Sequence, residues 1–158
     1  MITIIFMSVI FIQSNTPYKQ QDIKPFLEEM IELKKIPITF FYNDRVISGY
    51  RPYEFLEFVL RKAGHVVQYS ILTLILIKTL SFIKARLFTV LSLSFILSFI
   101  IALFDEWHQR FIAGRTGQLI DVFTFDLFGI ILAILGFLWA KKYKVNKLSE
   151  SPGKTKKI

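Results

Sequence analysis

Three long apolar stretches constrain the fold of this chain more than any other feature of its sequence. They cover residues 63–83, 87–104 and 119–140, and each is rich in Leu, Ile, Phe and Val with few interior charges. About 20 residues of α-helix cross the roughly 30 Å hydrocarbon core of a bilayer. The sequence therefore predicts three membrane-spanning helices.

The composition also indicates an integral membrane protein. Hydrophobic residues make up 53% of the 158 residues, 17 of them Phe, and the mean hydropathy is +0.49. One water-soluble core of this size does not bury so much apolar surface. The chain has no Cys, which excludes disulfides, thiolate nucleophiles and cysteine metal ligands. Any catalysis must therefore use carboxylates, imidazole or water.

A fourth apolar stretch, residues 1–12, is shorter than a membrane span. Three interpretations stay open: a shortened first helix, a re-entrant segment, or a gene start assigned too late. The stretch lacks the basic n-region and the small-residue cleavage site of a signal peptide. With this segment as a short first span, the sequence predicts an all-α membrane protein built on a four-helix transmembrane bundle.

The distribution of charge predicts the orientation. Residues 78–86 and 141–158 together carry ten basic residues and one acidic residue, whereas residues 13–62 and 105–126 carry ten basic and eleven acidic ones. The positive-inside rule assigns the first group to the cytoplasm. Both termini are then cytoplasmic, which requires an even number of crossings and supports residues 1–12 as a span. The basic tail favours anionic membrane lipids as its partner, not nucleic acid.

Residues 13–61 are expected to form a small extracytoplasmic cap. The sequence DIKPFLEEMIELKKI has apolar residues near helical spacing and predicts a short amphipathic helix. PITFFYNDRVISG has β-branched and aromatic residues on both sides of Asn43-Asp44, which is typical of a hairpin. Pro52 then opens a helix that continues into the second span. Residues 1–140 thus form one membrane domain, followed by the basic cytoplasmic tail 141–158.

Ionisable residues gather at one end of the predicted spans, where the bilayer makes them expensive unless they are paired. Lys62, His65 and Tyr69 follow one helical stripe. Asp105 and Gln109 are one turn apart, as are Glu106 and Arg110, and Asp126 lies about 7.5 Å beyond Asp121 along the last span. Intramembrane ionisable residues are functional-site candidates by default. The clustering therefore predicts a shared site.

Each of these residues, taken alone, also fits a structural role. Charged residues at helix ends commonly anchor spans, His65 fits a neutral interfacial histidine, and Arg115 fits a helix-pairing partner of Asp121. The GRTG turn, residues 114–117, offers free backbone N–H groups just before a helix N-terminus, where an anion is favoured. By itself this turn is a weak signal.

The motifs together resemble a known family. RK-x-x-H-x-x-x-Y before an apolar span, then DE-x-x-Q-x-F-x-x-GR-x-G-x-x-x-D and a final span with Gly, are similar to the VanZ-like membrane proteins, named for a teicoplanin-resistance protein. The matching residues are Lys62, His65, Tyr69, Asp105, Glu106, Gln109, Phe111, Gly114, Arg115, Asp121 and Gly129. The family usually has Asn or Asp one turn after the last motif aspartate, whereas Phe125 holds that place here and Asp126 follows. The resemblance implies a bacterial multi-pass protein of the cell envelope, with some members linked to glycopeptide resistance.

The favoured hypothesis is binding of an anionic lipid-linked or peptidoglycan-related molecule at the outer leaflet. Lys62, Arg110 and Arg115 would supply the charge. The full predicted ligand site is Lys62, His65, Tyr69, Asp105, Glu106, Gln109, Arg115 and Asp121. No cofactor and no metal are expected, and the oligomeric state is left open.

A second hypothesis is a membrane-embedded hydrolase, and whether the chain is an enzyme is left open. His65 or Glu106 would be the general base, and the candidate metal ligands would be Asp105, His108 and Asp121. A third hypothesis is an accessory subunit without a ligand.

Overall fold

The computed structural model describes residues 1–43 and 45–149, and most of them are helical. The helices are α1 (Ile2–Ser14), α2 (Lys24–Met30), α3 (Pro52–Leu80), α4 (Leu87–Gln109), α5 (Leu119–Asp121) and α6 (Leu127–Ser149), and the strands are β1 (Thr39–Tyr42) and β2 (Arg45–Ser48). A π-helical turn, Val122–Asp126, joins the single turn of α5 to α6. Asp44 of the predicted hairpin and residues 150–158 of the predicted tail lie outside the described residues.

Three segments among the described residues are long and apolar enough to cross a membrane. They are Pro52–Ile83, Leu87–Gln109 and Leu119–Lys147, and they coincide with the three stretches predicted as spans. Helix α1 has 13 residues, about 20 Å at the α-helical rise, and this is short of the roughly 30 Å core. A four-span bundle is therefore not confirmed, although α1 packs against α3 and α4.

The cap contains the predicted helix and hairpin, and the helix is shorter than predicted. Helix α2 ends at Met30, and Ile31 is already extended, with φ −141° and ψ 125°. The following segment instead bonds to the end of the hairpin, because Ile36 N–H donates to the carbonyl of Gly49. Strands β1 and β2 pair antiparallel, and Asn43 adopts the positive φ that such a turn requires. The prediction of a helix that continues beyond Met30 is therefore wrong.

Helix α3 is the centre of the bundle and contacts α1, α4 and α6. Pro52 begins the helix and Glu54 lies in its first turn, two features that favour a helix N-terminus. The predicted continuation of this helix into the second span is therefore confirmed.

Close contact between α3 and α6 depends on Gly129. A Cβ atom at Gly129 would lie 2.4 Å from the carbonyl oxygen of Val66, and Ser70 Oγ donates to the Gly129 carbonyl at 2.8 Å. On the other side of α3, Thr73 donates to Ser98 of α4 at 2.9 Å. Small residues at interfaces allow membrane helices to approach closely. This tight contact places the first turns of the last span beside His65.

Candidate functional site

Four carboxyl side chains from the last two span candidates are buried at the end of the bundle that faces the cap. They belong to Asp105, Glu106, Asp121 and Asp126. An isolated buried carboxylate costs several kcal/mol in such surroundings, so its partners determine what the site can do. The four acids lie in three neighbouring groups, each formed with residues of α3.

The first group is formed by Asp121 with Lys62 and Tyr42. The Lys62 ammonium and the Tyr42 hydroxyl both donate to Asp121 Oδ1. Burial, with the hydrogen bond to the Asp121 carboxylate, raises the pKa of Tyr42 well above its usual range. Tyr42 therefore keeps its proton at physiological pH and donates a hydrogen bond to this carboxylate.

Aromatic rings surround the same ammonium group. Lys62 Nζ lies 4.8, 5.3 and 5.6 Å from the ring centroids of Tyr42, Phe58 and Phe125, within the range of cation–π attraction. Much of the charge of Lys62 is thus neutralised by contacts inside the protein.

The second group is formed by His65, Asp126 and Glu106. His65 Nδ1 lies 2.9 Å from Asp126 Oδ1 and 3.9 Å from Glu106 Oε1. The Asp126 side chain is 0% exposed and that of Glu106 is 1% exposed. The other Glu106 oxygen accepts the backbone N–H of Gln118 at 2.6 Å. A carboxyl oxygen of Glu106 thus occupies the position just before the last helix where the free N–H groups of the GRTG turn favour an anion.

The π-helical turn explains why Asp126 takes the position next to His65. Five residues along an α-helix advance about 140° beyond a full turn, so Asp121 and Asp126 would point to different sides of a regular helix. A π turn closes over five residues, which returns Asp126 toward the same side. The acidic residue of this chain comes one position later than the family pattern, at Asp126 and not at Phe125. The π turn offsets this extra residue, and the Asp126 carboxyl therefore still lies beside His65.

The third group is formed by Asp105, Tyr69 and Gln109. The Tyr69 hydroxyl and the Gln109 amide both donate to Asp105 Oδ2, at 3.1 and 3.0 Å. All three residues are buried. The expected proximity of Tyr69 to Asp105, and of His65 to Glu106, is thus confirmed, whereas their roles in ligand binding stay predictions.

Arg115 and Arg110 do not form the acid pairs that their positions in the sequence allow. Arg115 does not pair with Asp121, because one guanidinium nitrogen donates to the carbonyls of Gln13 and Ser14 at the end of α1. Arg110 does not pair with Glu106, because its Nε donates to the carbonyl of Gly117. Both arginines bind backbone carbonyls that helix or loop ends leave free.

Arg115 is partly buried and lies near a second arginine, Arg61. Burial, together with the charge of Arg61, lowers the pKa of Arg115 from its usual value. Gly114 precedes it with φ +73°, a conformation that glycine adopts without strain. The turn therefore directs the guanidinium back toward α1 and the cleft described next.

A cleft of about 520 Å³ separates the cap from the membrane helices. Its lining contains four cationic side chains, those of Arg45, Arg61, Lys62 and Arg115, and two acids, Asp105 and Asp121. His65, Gln109 and Gln118 also line it. Predicted site residues and cap residues therefore meet at one cavity. A second layer of residues lies behind the lining and contacts it. Tyr69 donates to Asp105, Glu106 accepts from Gln118, and Asp126 contacts His65.

Several residues of the site were not anticipated. Glu57 is buried and accepts hydrogen bonds from Tyr18 and Arg61, each at 3.0 Å. Glu57 and Arg61 are one helical turn apart on α3, a spacing that indicates a pair but not its burial. Tyr42 and Arg45 flank the hairpin turn, and only the docking of the hairpin on α3 brings them to the cleft.

The metal ligands considered for a hydrolase are not brought together. Asp105 and Asp121 have separate hydrogen-bond partners, and the His108 ring packs against Phe11 at 4.9 Å. Among the described residues, the cluster whose atoms are close enough to hold an ion is His65, Glu106 and Asp126.

The fold and the site define a class: a helical protein with three membrane-span candidates and a buried cluster of carboxylates and cations beneath a polar cleft. The chain belongs to the VanZ/LLP1 family, whose family model matches residues 1–141. This confirms the resemblance seen in the motifs. Searches of curated proteins and of solved structures found no significant match.

Proposed function

We propose that this protein binds an anionic cell-envelope lipid in the cleft beneath the cap, with the phosphate or carboxylate of the lipid among the cationic side chains. The carrying observation is the cleft itself, with four cations around about 520 Å³. This volume is typical of small-molecule sites. The four cations of the lining outnumber its two acids, so the net charge that faces a ligand is positive.

The free donors in the cleft support an anionic group. The Arg45 side chain has no hydrogen bond or ion pair within the described residues, and only one guanidinium nitrogen of Arg115 is bonded. The remaining N–H groups of Arg115 match the geometry of a phosphate or carboxylate. Lys62 contributes less, since Asp121 and the rings already hold its ammonium group.

An adjoining apolar groove supports a ligand with a hydrocarbon chain. The groove lies between α1 and α3, has a volume of about 380 Å³, and is lined by Phe6, Val9, Ala63 and Val67. Ile10, Gln13, Gly64 and Gln68 line both the groove and the cleft. A charged cavity that continues into an apolar one fits an amphiphile, and a free sugar phosphate would leave the groove empty.

The binding test uses purified protein in detergent and two labelled probes of equal chain length, a polyprenyl monophosphate and the uncharged polyprenol. We expect the phosphate to bind and the alcohol to bind at least about tenfold more weakly, since charge-assisted hydrogen bonds contribute about 1.5–3 kcal/mol. Phosphatidic acid serves as a second anionic probe, which separates recognition of a prenyl chain from recognition of any lipid phosphate. Equal binding of phosphate and alcohol would contradict the proposal.

Two pairs of variants provide matched controls. Arg45→Gln should weaken binding of the phosphate, whereas Arg51→Gln should not, because Arg51 pairs with Glu54 outside the cleft. A Cβ added at Gly64 or Gly136 meets no atom within 4 Å, so a side chain can begin at either position without a backbone clash. Gly64→Leu should block the groove and weaken binding, and Gly136→Leu should leave it unchanged.

A second candidate function is hydrolysis of the phosphoanhydride bond of a lipid-linked diphosphate, and the position of His65 supports it. His65 lines the cleft and its Nδ1 is 2.9 Å from Asp126, as in a base that is oriented by a carboxylate. Release of inorganic phosphate from a polyprenyl diphosphate by wild type, and not by His65→Gln, would favour this function over binding alone. Absence of both binding and turnover would leave the accessory-subunit hypothesis.

The family supports the remaining parts of the proposal. We infer a place in a bacterial cell membrane with both termini in the cytoplasm, and an effect on susceptibility to glycopeptides such as teicoplanin. Deletion of the gene should then change the inhibitory concentration of teicoplanin, and the Gly64→Leu variant should fail to restore it.

A further inference from the structure

Two deeply buried carboxylate oxygens have no hydrogen-bond partner within the described residues. They are Glu106 Oε1 and Asp126 Oδ2, and their side chains are 1% and 0% exposed. A buried polar atom without a partner is costly, and a buried charged oxygen more so. Both oxygens belong to the group around His65, which suggests that this group has a further partner.

Three separate elements supply the group. His65 comes from the middle of α3, Glu106 from the end of α4 and Asp126 from the π-helical turn. The second oxygen of Glu106 is fixed by Gln118 N–H at 2.6 Å, so the unpartnered oxygen cannot rotate away without loss of that bond. Such outer contacts orient metal ligands in proteins.

The spacing of the atoms fits a single cation. One ligand atom from each residue can be chosen so that all three lie within 4.8 Å of one another. Zinc binds imidazole nitrogen and carboxylate oxygen at about 2.0–2.2 Å with tetrahedral geometry, so two ligand atoms of one ion lie about 3.4 Å apart. A pair of ligand atoms separated by the full 4.8 Å would have to approach by about 1.4 Å, or about 0.7 Å for each side chain.

We propose that His65, Glu106 and Asp126 form a binding site for one divalent metal ion. One nitrogen and two oxygens suit ions that accept mixed ligands, such as Zn²⁺ or Mn²⁺. Three ligands from the protein leave at least one coordination position of the ion open for water or another group. Because His65 lines the cleft, this position is near the cavity. The inference replaces the sequence expectation of no metal, and it stands whether or not the cleft binds a lipid.

The test adds Mn²⁺ to purified full-length protein in detergent, removes free metal by gel filtration and measures retained manganese by mass spectrometry. We expect about one ion per chain in wild type. His65→Gln and Asp126→Asn should each lower the affinity by at least about tenfold. The control is His108→Gln, since His108 is the other of the two histidines and lies outside the cluster. It should retain the ion.

Pulsed electron paramagnetic resonance of bound Mn²⁺ covers the case in which the cluster variants do not fold. Wild type and His108→Gln should both show nitrogen coupling from one imidazole. No retained ion in wild type, no nitrogen coupling, or equal loss in the two histidine variants would overturn the proposal. None of these measurements uses a lipid, so a failure here is distinct from a failure of the cleft to bind one.

Discussion

At the scale of single residues, two of the buried carboxylates have two hydrogen-bond donors each. Asp121 has Lys62 and Tyr42, and Asp105 has Tyr69 and Gln109. Removing one partner of a buried ion pair leaves a charge without compensation, which destabilises a protein far more than loss of a surface pair. The charged residues therefore stabilise the fold as well as forming the candidate site.

Gly129 gives the sharpest prediction at this scale. Gly129→Ala would bring a Cβ within 2.4 Å of the Val66 carbonyl oxygen, so α3 and α6 must separate. We expect a loss of about 1–3 kcal/mol of stability, as for other overpacked sites, measured by thermal unfolding in detergent. Gly136→Ala on the same helix is the control, since its Cβ meets no atom within 4 Å. Equal unfolding temperatures for the two variants would contradict the close contact.

At the scale of elements, the π-helical turn Val122–Asp126 determines which residues of the last span face the cluster. The turn contains one residue more than an α-helical turn needs. It directs Asp126 toward His65 while Phe125 lies beside Tyr42, with ring centroids 6.0 Å apart. π-bulges occur frequently at functional sites, and here the bulge serves to align a carboxylate.

Deletion of Phe125 tests this role. The π turn should relax to a regular α-helix, and the aspartate that follows should keep its inward direction, so the protein should unfold only slightly below wild type. The control is deletion of Ile131, which lies in the regular helix α6. That deletion rotates all later residues by about 100° and should strongly reduce stability. Thermal unfolding of both proteins makes the comparison, and equal damage would exclude a compensating bulge.

At the scale of the whole molecule, the excess of basic residues predicts the orientation in the membrane. The chain has no Cys, so single cysteines can be labelled without background. An impermeant maleimide should label Thr116→Cys in intact cells, and should label Lys147→Cys and Ile2→Cys only after permeabilisation. Labelling of Ile2→Cys in intact cells would leave three crossings, with α1 not spanning the membrane. The reverse pattern at Thr116 and Lys147 would contradict the orientation.

Much of the site could be predicted because membranes make polar residues conspicuous. Ionisable residues within or beside apolar stretches are easily recognised in the sequence, and the structure brings them to one end of the bundle. They include His65, Asp105, Glu106 and Asp121. Glu57 did not stand out, because it lies in the polar cap region, where charged residues are usually solvated. Its burial depends on contact with Tyr18, 39 residues away in the chain.

The sequence by itself determined the three apolar spans, the hairpin and the helix that starts at Pro52, because length, hydrophobicity and turn residues act locally. Tertiary structure decided the partners of Arg115 and Asp121. Arg115 binds the end of α1 and not Asp121, which binds Lys62 instead. These choices depend on how far each helix is rotated and how closely it approaches its neighbour. A period of 3.6 residues does not contain that information, least of all where a π turn shifts the register by one residue.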